Sequence, residues 1–262
     1  MRGAAVVHSS VRNSELSSPA ISMHLGDGID GMRGLPDGAA DVTITDPPYE
    51  AEAHTKQRRV KRAGGMSTEG LQFAPISSEQ RAEASRQIAR VTKRWALVFC
   101  QVEATIAWAE ALTAGGLEYV RTAIWVKPDA MPQFTGDRPG MGYEAIVIAH
   151  RPGRKRWNGG GRTGVFVFNK GGGRAPGEPA PHPTTKPLPL MRELVALFSD
   201  EGETVLDPFS GSGTTGVACR KLGRAFIGWE IDEAYHAIAM ARLAGEAVQR
   251  DGQVDLFSGV SR

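Results

Sequence analysis

The 262-residue sequence contains very little cysteine. Only Cys100 and Cys219 occur, and each lies within an apolar stretch. Two separate thiols cannot supply the disulfide framework of a small secreted domain, and they are too few for a structural zinc cluster. We therefore expect two buried free thiols in a reduced compartment, which predicts a cytoplasmic protein without a bound metal.

The start of the chain also lacks a long uncharged apolar run. A short apolar run follows Arg2, but Asn13 and Glu15 occur before any longer apolar segment. This pattern fits neither a signal peptide nor a membrane-spanning helix. Residues 1–20 are rich in serine and show no periodicity, so we expect a flexible N-terminal arm followed by one folded domain over residues 21–262.

Charge of one sign does not dominate the composition. Lys and Arg total 31 against 29 acidic residues, and a net charge of +2 does not by itself indicate a nucleic-acid partner. The distribution of the charge is uneven, because a polar loop over residues 51–70 and a segment over residues 150–181 are both basic. Residues 145–177 contain no acidic residue, and their basic residues alternate with aromatic residues and glycines. A solvated basic surface is the alternative to a binding role for these segments.

Short apolar or β-branched runs alternate with helical patterns along the chain. Strands are predicted near residues 41–45, 96–99, 119–126, 144–149, 204–207 and 225–229. Helices are predicted from Ser77 to about Lys93, over 103–113, around 190–198, over 214–222 and from Glu233 to about Val248. The alternation predicts an α/β fold with a largely parallel sheet, whose ligands gather at the carboxyl ends of the strands.

A glycine-rich turn follows the strand that ends at Asp207, and Glu230 ends the next strand about 20 residues later. This arrangement is typical of a nucleotide-type site in which the second carboxylate binds a ribose. No Lys-Ser or Lys-Thr pair follows the glycines, so a triphosphate would lack its usual cation, and the third glycine of a nicotinamide site is missing. The Asp207 carboxylate would repel phosphate but could pair with an ammonium group, which S-adenosylmethionine has. A turn that only packs a helix on the sheet is the alternative.

The tetrapeptide Asp46-Pro47-Pro48-Tyr49 ends an earlier strand, because proline continues neither a strand nor a helix. The exocyclic amine of a nucleic-acid base is a poor nucleophile, since its lone pair is delocalised into the ring. Asp46 and the Pro47 carbonyl can accept the hydrogens of such an amine, and Tyr49 can stack on a base flipped out of a duplex. A structural Pro-Pro turn is the alternative interpretation.

Together the two motifs resemble the S-adenosylmethionine-dependent DNA amino-methyltransferases, which methylate adenine N6 or cytosine N4. The resemblance extends from about His24 to Leu243, and the catalytic motif precedes the cofactor motif, as in the beta arrangement of that family. It implies a methyltransferase domain over residues 21–262 with the Rossmann-like class I fold and a circularly permuted motif order. It also implies a small target-recognition insertion within residues 150–181.

The resemblance implies a role for individual residues. Glu230 is the implied ribose ligand, and the segment 182–187 is similar to the one that lines the methionine end of the cofactor pocket. The implied catalytic residues are Asp46, Pro47, Pro48 and Tyr49, and the implied cofactor ligands are Asp27, Gly28, Asp46, Thr184, Thr185, Lys186, Asp207, Pro208, Phe209, Ser210, Gly211, Ser212, Gly213, Thr214, Glu230 and Asp232. The implied DNA-binding residues are Lys56, Arg58, Arg59, Lys61, Arg62, Arg151, Arg154, Lys155, Arg156, Arg162, Lys170 and Arg174. Glu50 departs from the Asn that many members carry after the tetrapeptide.

The expected activity is site-specific methylation of double-stranded DNA on a flipped base, by direct in-line transfer without a covalent enzyme intermediate. Adenine N6 is favoured over cytosine N4 because Asp46 heads the tetrapeptide. The resemblance is also compatible with a homodimer and with a cognate restriction endonuclease. The alternatives are an RNA or protein-glutamine methyltransferase, whose relatives usually have Asn at the position of Asp46, and a non-catalytic DNA-binding subunit.

Overall fold

The computed structural model describes residues 19–49, 75–134, 136–170 and 185–245. In this part of the chain eight strands are β1 (Ile21–Leu25), β2 (Ala40–Thr45), β3 (Thr92–Cys100), β4 (Glu118–Val126), β5 (Tyr143–His150), β6 (Val165–Val167), β7 (Thr204–Asp207) and β8 (Ala225–Glu230). The α-helices of the same residues are α1 (Gly28–Arg33), α2 (Ser78–Val91), α3 (Thr105–Ala114), α4 (Leu188–Phe198), α5 (Thr214–Lys221) and α6 (Glu233–Ala244).

The strands form one sheet in the order β1-β8-β7-β2-β3-β5-β4-β6. Strand β5 pairs antiparallel with both β3 and β4, whereas the other neighbouring strands pair in parallel. The prediction of a largely parallel α/β sheet is therefore confirmed. The reversal of β5 matters for function, because β5 starts at the edge of the sheet where the parallel strands end.

Helices cover both faces of the sheet, which explains the almost continuous apolar runs of the central strands. Alternate side chains of β3 enter opposite layers: Trp95, Leu97 and Phe99 pack in the layer of α4, and Ala96 and Val98 pack in the layer of α2 and α3. Helix α2 begins at the predicted place, where Ser77 and the residue three positions later, Gln80, exchange the hydrogen bonds of a capping box. Cys100 and Cys219 are buried, as predicted, and they form no disulfide with each other.

Strands β2 and β7 are neighbours, but the chain leaves them in opposite directions across the sheet. The connection from β2 leads through α2 to β3, and the connection from β7 leads through α5 to β8. Such a reversal opens a crevice outside the carboxyl ends of the two strands. The fold therefore brings Asp46 and Asp207, which are far apart in sequence, to the same crevice.

Several predicted boundaries were wrong. Helix α2 ends at Val91 rather than near Lys93, because Thr92 already pairs with Ala40 of β2. Helix α6 ends at Ala244 rather than near Val248, because Gly245 caps it with a left-handed backbone. The elements β1, α1 and β6 were not predicted from the sequence, because they are short and pack against elements that are distant in the chain.

Of the predicted N-terminal arm, residues 1–18 lie outside the described residues. The carbonyl of Ala20 accepts a 2.9 Å hydrogen bond from the Phe226 amide, so the last residue of the arm already borders the sheet. The predicted basic loop over 51–70 lies wholly outside the described residues. No helix within the described ranges is long and apolar enough to cross a membrane.

Candidate active site

A cavity of about 330 Å³ lies at the carboxyl edge of the sheet. Its walls come from the ends of β1, β2, β7 and β8, together with the start of α2 and the residues before α4. The cavity lining includes Asp27, Gly28, Thr45, Asp46, Tyr49, Thr185, Lys186, Asp207, Ser210, Gly211, Ser212, Glu230 and Ile231. The two sequence motifs thus form one site, in the volume range of ligand pockets.

Asp46 follows directly after β2, at the point where the two prolines end the strand. Its Oδ2 accepts a 2.5 Å hydrogen bond from Lys186 Nζ. Its Oδ1 is shielded from water and receives no hydrogen bond from any described residue. A carboxylate oxygen without a donor costs free energy in the folded protein, and a donor brought by a ligand would recover that cost.

Lys186 connects Asp46 to a second buried carboxylate, Glu144, at the start of β5. The Lys186 Nζ lies 3.1 Å from Glu144 Oε1, and Lys127 Nζ lies 2.9 Å from Glu144 Oε2. The Tyr49 hydroxyl donates to Glu144 Oε1 across 3.1 Å. Two carboxylates and two ammonium groups therefore form a continuous chain of contacts, and the exposed fractions of Lys186 and Glu144 are only 8% and 4%.

Burial and pairing shift the pKa values of these groups in different directions. Burial raises the pKa of Asp46 to about 6, with Lys186 opposing the rise and the negative charge of Glu144 adding to it. Burial alone would also raise the pKa of Glu144, but Lys186 and Lys127 outweigh it and hold that pKa below its usual range. The two carboxylates raise the pKa of Lys186 despite its burial, so this side chain stays charged.

The Asp207 carboxylate shapes the glycine-rich turn. Its Oδ1 accepts hydrogen bonds from Thr45 Oγ1 at 2.8 Å and from the Phe209 amide at 3.2 Å, and its Oδ2 accepts one from Thr215 Oγ1 at 2.6 Å. Burial raises the pKa of Asp207 to about 6. The three hydrogen bonds of this carboxylate hold the turn in shape. One accepting position, on Oδ2, is left for an ammonium group.

Glu230 lies at the end of β8 and faces the same turn. The Gly211 amide donates to its Oε2 and the Asp232 amide to its Oε1, each across 2.8 Å. The carboxylate keeps lone-pair positions beyond these two hydrogen bonds, so it can accept from the hydroxyl groups of a ribose. Asp232 begins α6, where its side chain accepts from the Tyr235 amide at 3.0 Å.

The start of α1 closes one side of the cavity. Asp27 caps this helix by accepting hydrogen bonds from the amides of Ile29 and Asp30. The backbone of Gly28 touches the turn so closely that a Cβ at Gly28 would overlap the Pro208 carbonyl oxygen. Glycine at position 28 therefore permits the approach of the helix to the cofactor-type turn, a reason that the motif alone did not reveal.

The structure places the basic residues that directly follow β5 away from this cavity. Because β5 is antiparallel, its end at His150 lies at the sheet edge opposite to Asp46. Arg151 donates to the backbone carbonyls of Ala89 and Thr92 there. Three further basic residues pair with carboxylates, and these pairs are Lys155 with Glu118, Arg156 with Asp200 and Arg162 with Glu193. Arg154 is exposed in the same segment.

Lys170 has a different position. It follows β6, which runs parallel to β4, so it lies at the same edge of the sheet as Asp46, which we call the catalytic edge. The Lys170 amide donates to Asp129 there at 2.8 Å. The remaining predicted site residues lie outside the described residues, namely Lys56, Arg58, Arg59, Lys61, Arg62, Arg174 and Thr184, as does Glu50. The described residues bring no group of three or more His, Cys, Asp or Glu side chains together for a metal ion.

Neither Glu144 nor Lys127 was among the site residues predicted from the sequence. One signal was present, because Glu144 is the single charged residue at the head of an otherwise apolar buried strand. A carboxylate in that position needs a partner. Neither partner could be identified from the sequence, since Lys186 lies 42 residues away and reaches Glu144 only through the fold.

Comparisons with known sequences agree with this geometry. The N6/N4 family model described as DNA methylase matches residues 161–241. The YubD protein of Escherichia coli (strain K12) is 29% identical over 239 residues, covering 86% of this chain and 90% of that protein. The type II methyltransferase M.Cfr9I of Citrobacter freundii is 33% identical over 153 residues, covering 54% of this chain and 50% of that protein. The chain thus spans about half the length of this second relative.

Solved structures share the fold. The crystal structure of an M1.HpyAVI–SAM complex superimposes with a TM-score of 0.63 at 24% identity, covering 85% of this chain and 99% of that chain. The PvuII DNA methyltransferase, described as cytosine-N4-specific, superimposes with a TM-score of 0.67 at 14% identity, covering 86% of this chain and 88% of that chain.

Proposed function

We propose that this chain is an S-adenosylmethionine-dependent DNA amino-methyltransferase, which its family match and its similar relatives support. We propose further that it methylates the N6 amine of adenine in double-stranded DNA. The observation that carries the proposal is the joining of Asp46 and the Asp207–Gly213 turn in one cavity. One motif provides an acceptor for an amine, and the other provides a cofactor site without a phosphate-binding cation. Both are needed for methyl transfer to a base.

The residues present fit S-adenosylmethionine. Glu230 has accepting positions left for the two ribose hydroxyls, and the Gly211 amide holds that carboxylate in place. The cavity wall around Asp207 carries no lysine or arginine on the turn itself, which suits a ligand that has an ammonium group and no phosphate. When bound, the cofactor supplies an electrophilic methyl group on a sulfonium.

Asp46 acts on the amine of the flipped base. Its Oδ1 accepts an N–H of the amine, which helps to localise the nitrogen lone pair toward the methyl carbon. With the cofactor bound, its methyl group would pass to this nitrogen as the carbon–sulfur bond breaks. Asp46 Oδ1 would then be available to accept the proton that the methylated amine loses. Tyr49 stacks on the base, and its hydroxyl is fixed by Glu144.

Adenine is proposed over cytosine because an aspartate heads the tetrapeptide. Cytosine N4 is the alternative, and the shared fold with the cytosine-N4-specific PvuII enzyme keeps it open. Among the predicted DNA-binding residues that the structure describes, Lys170 lies at the catalytic edge. The basic loop over 51–70 follows the tetrapeptide closely in sequence. We propose that these residues bind phosphates and that the ion-paired residues at the opposite edge do not. A homodimer and a cognate restriction endonuclease stay predictions.

The test uses purified protein, unmethylated plasmid DNA and S-adenosylmethionine labelled on its methyl group. The DNA is digested to nucleosides, and the labelled product is identified by mass spectrometry. Label in N6-methyladenine supports the proposal, and label in N4-methylcytosine replaces the base while keeping the reaction. Cofactor binding without label in DNA would refute it and favour RNA, protein or a non-catalytic role.

The control variant is Asp46→Ala. It removes the acceptor of the amine, so we expect transfer to fall below detection while cofactor affinity changes little. Transfer at nearly the wild-type rate by this variant would exclude Asp46 from the reaction. Isothermal titration calorimetry provides the cofactor affinity of both proteins.

A further inference from the structure

The proposed reaction gives no direct role to two members of the charged chain Lys127–Glu144–Lys186–Asp46, namely Lys127 and Glu144. Consecutive partners are 2.9, 3.1 and 2.5 Å apart, and the Tyr49 hydroxyl joins at Glu144. The two negative and two positive charges balance. Burying four charges generally contributes little to stability, because their desolvation offsets their attraction. Such an arrangement therefore calls for a role in the site.

Glu144 is placed rigidly. It is the second residue of β5 and pairs with Trp125 of β4, and its neighbour Ala145 pairs with Cys100 of β3. Its side chain is held on the other oxygen by Lys127, whose ammonium also lies 4.4 Å from the Trp125 ring. The paired strands thus hold the backbone of Glu144, and Lys127 holds its carboxylate. Glu144 can therefore hold side chains from neighbouring irregular segments in place.

Two groups of the candidate site contact the Glu144 carboxylate. Tyr49 lies in the irregular segment after β2, and Lys186 lies in the irregular segment before α4. Both donate to the same oxygen of Glu144, Oε1, at 3.1 Å. The ammonium that occupies Asp46 Oδ2 is thus held by a residue that does not belong to either family motif.

We propose that Glu144 is a positioning residue of methyl transfer. By accepting from Tyr49 and Lys186 at one oxygen, it holds the ring that stacks on the base and the ammonium that occupies Asp46 Oδ2, and so leaves Asp46 Oδ1 for the amine. Lys127 supports Glu144 by neutralising its second oxygen. The proposal rests on the proposed function, because it concerns the same reaction.

The alternative is that Glu144 only compensates two buried lysines. The rate constant at saturating cofactor separates the two roles, because replacing a residue that only balances charge does not slow transfer in a protein that still folds. The pH dependence of transfer then shows whether Asp46 is the group on which the two charges act. The charged or titratable groups facing Asp46 are Lys186, Glu144, Lys127 and Tyr49, and Asp207 lies across the crevice. Glu144 raises the pKa of Asp46 and Lys127 lowers it. Removing the two charges must therefore move the acidic limb of the rate profile in opposite directions.

The experiment measures single-turnover transfer with saturating cofactor at several pH values for Glu144→Gln and Lys127→Met. Glutamine keeps an acceptor for Tyr49 and Lys186 but loses the charge. We expect the Glu144→Gln rate constant to fall about 10- to 100-fold through loosened positioning, with cofactor affinity unchanged. Its acidic limb should move to lower pH, and that of Lys127→Met should move to higher pH.

Glu118→Gln is the matched control. Glu118 also pairs with a lysine, Lys155, across 2.5 Å, but it lies at the opposite edge of the sheet. We expect it to leave the rate and the acidic limb unchanged. Glu144→Gln behaviour equal to this control would overturn the proposal, and so would acidic limbs of the two variants that move together.

The outcomes stay interpretable if one protein fails. Should Glu144→Gln not fold, as judged by circular dichroism, the rate constant of Lys127→Met above its acidic limb decides. This variant removes the support at Glu144 Oε2, so we expect slower transfer, and an unchanged rate constant would overturn the positioning role. A wild-type protein that transfers no methyl group would contradict the proposed function instead. Cofactor affinity, measured in parallel, separates a loss of positioning from a loss of the cofactor site.

Discussion

Methyl transfer should depend on pH through Asp46. In the proposed reaction the ionised carboxylate of Asp46 accepts from the amine. Burial raises the pKa of this carboxyl to about 6, although Lys186 opposes the rise. An aspartate in water stays ionised well below this pH. Lowering the pH from 8 to 5 should therefore remove activity in a range where an exposed aspartate would retain its charge.

The size of the effect follows from the ionised fraction. With a pKa of about 6, Asp46 is about 99% ionised at pH 8, about 50% at pH 6 and about 9% at pH 5. The transfer rate should therefore halve between pH 8 and pH 6 and fall about fivefold more between pH 6 and pH 5. The sign is definite, because a raised carboxyl pKa means that the active form is present above that pKa and lost below it.

Single-turnover kinetics with prebound DNA and saturating cofactor would show this profile. Burial also raises the pKa of Asp207 to about 6, so cofactor affinity must be measured at each pH to separate a loss of the turn from a loss of the acceptor. The matched variant is Asp46→Asn, which keeps the shape of the side chain but cannot ionise. Its residual rate should show no acidic limb near pH 6.

Two results would refute this reasoning. One is a wild-type rate that stays constant from pH 8 to pH 5 while the fold and cofactor affinity are preserved. The other is an acidic limb near pH 6 that persists in Asp46→Asn, which would assign the titration to another group.

Three further predictions concern the cofactor side of the site. Gly28→Ala should destabilise the protein by about 1–3 kcal/mol and weaken cofactor binding, because the new Cβ overlaps the Pro208 carbonyl oxygen. Calorimetry tests this against Gly34→Ala, where the atom nearest to the new Cβ is 3.5 Å away, and equal behaviour of the two variants would contradict the prediction. Glu230→Gln should weaken cofactor binding by about 1.5–3 kcal/mol through lost charge-assisted hydrogen bonds, as seen in titration calorimetry, and an unchanged affinity would exclude Glu230 as the ribose ligand. Thr215→Val should lower the free energy of unfolding by about 1–3 kcal/mol, because Asp207 Oδ2 is buried and loses its donor. The Thr113 hydroxyl is on the surface, so Thr113→Val should change the free energy of unfolding much less in urea denaturation. A similar loss in both variants would count against the role of Asp207 in the turn.

Local patterns predicted much of the fold correctly. Ser77 and Gln80 predicted the start of α2, because a capping box needs only residues three positions apart. The strand ends at Asp46 and Asp207 were also predicted, since the prolines that follow them stop a strand wherever it lies. By contrast, Thr92 was placed in a helix, because its pairing with Ala40 of β2 involves residues 52 positions apart.

The segment after β5 shows where sequence reasoning reached its limit. A DNA-binding surface stays a prediction for its basic residues. Their carboxylate partners Glu118, Glu193 and Asp200 come from other parts of the chain, so the sequence of the segment did not show these ion pairs. Because β5 runs antiparallel, the segment starts at the far edge of the sheet from Asp46. Strand direction is a property of the assembled sheet, so composition could not reveal it.

The sequence was sufficient to predict the two chemical motifs and the α/β class, because each depends on residues that are close together in the chain. Only the tertiary structure decided that Asp46, Lys186 and Glu144 share one buried chain of charges, since they come from three separate elements. Their pKa values, and hence the expected pH dependence of transfer, arise from burial and from distances of about 3 Å between these elements.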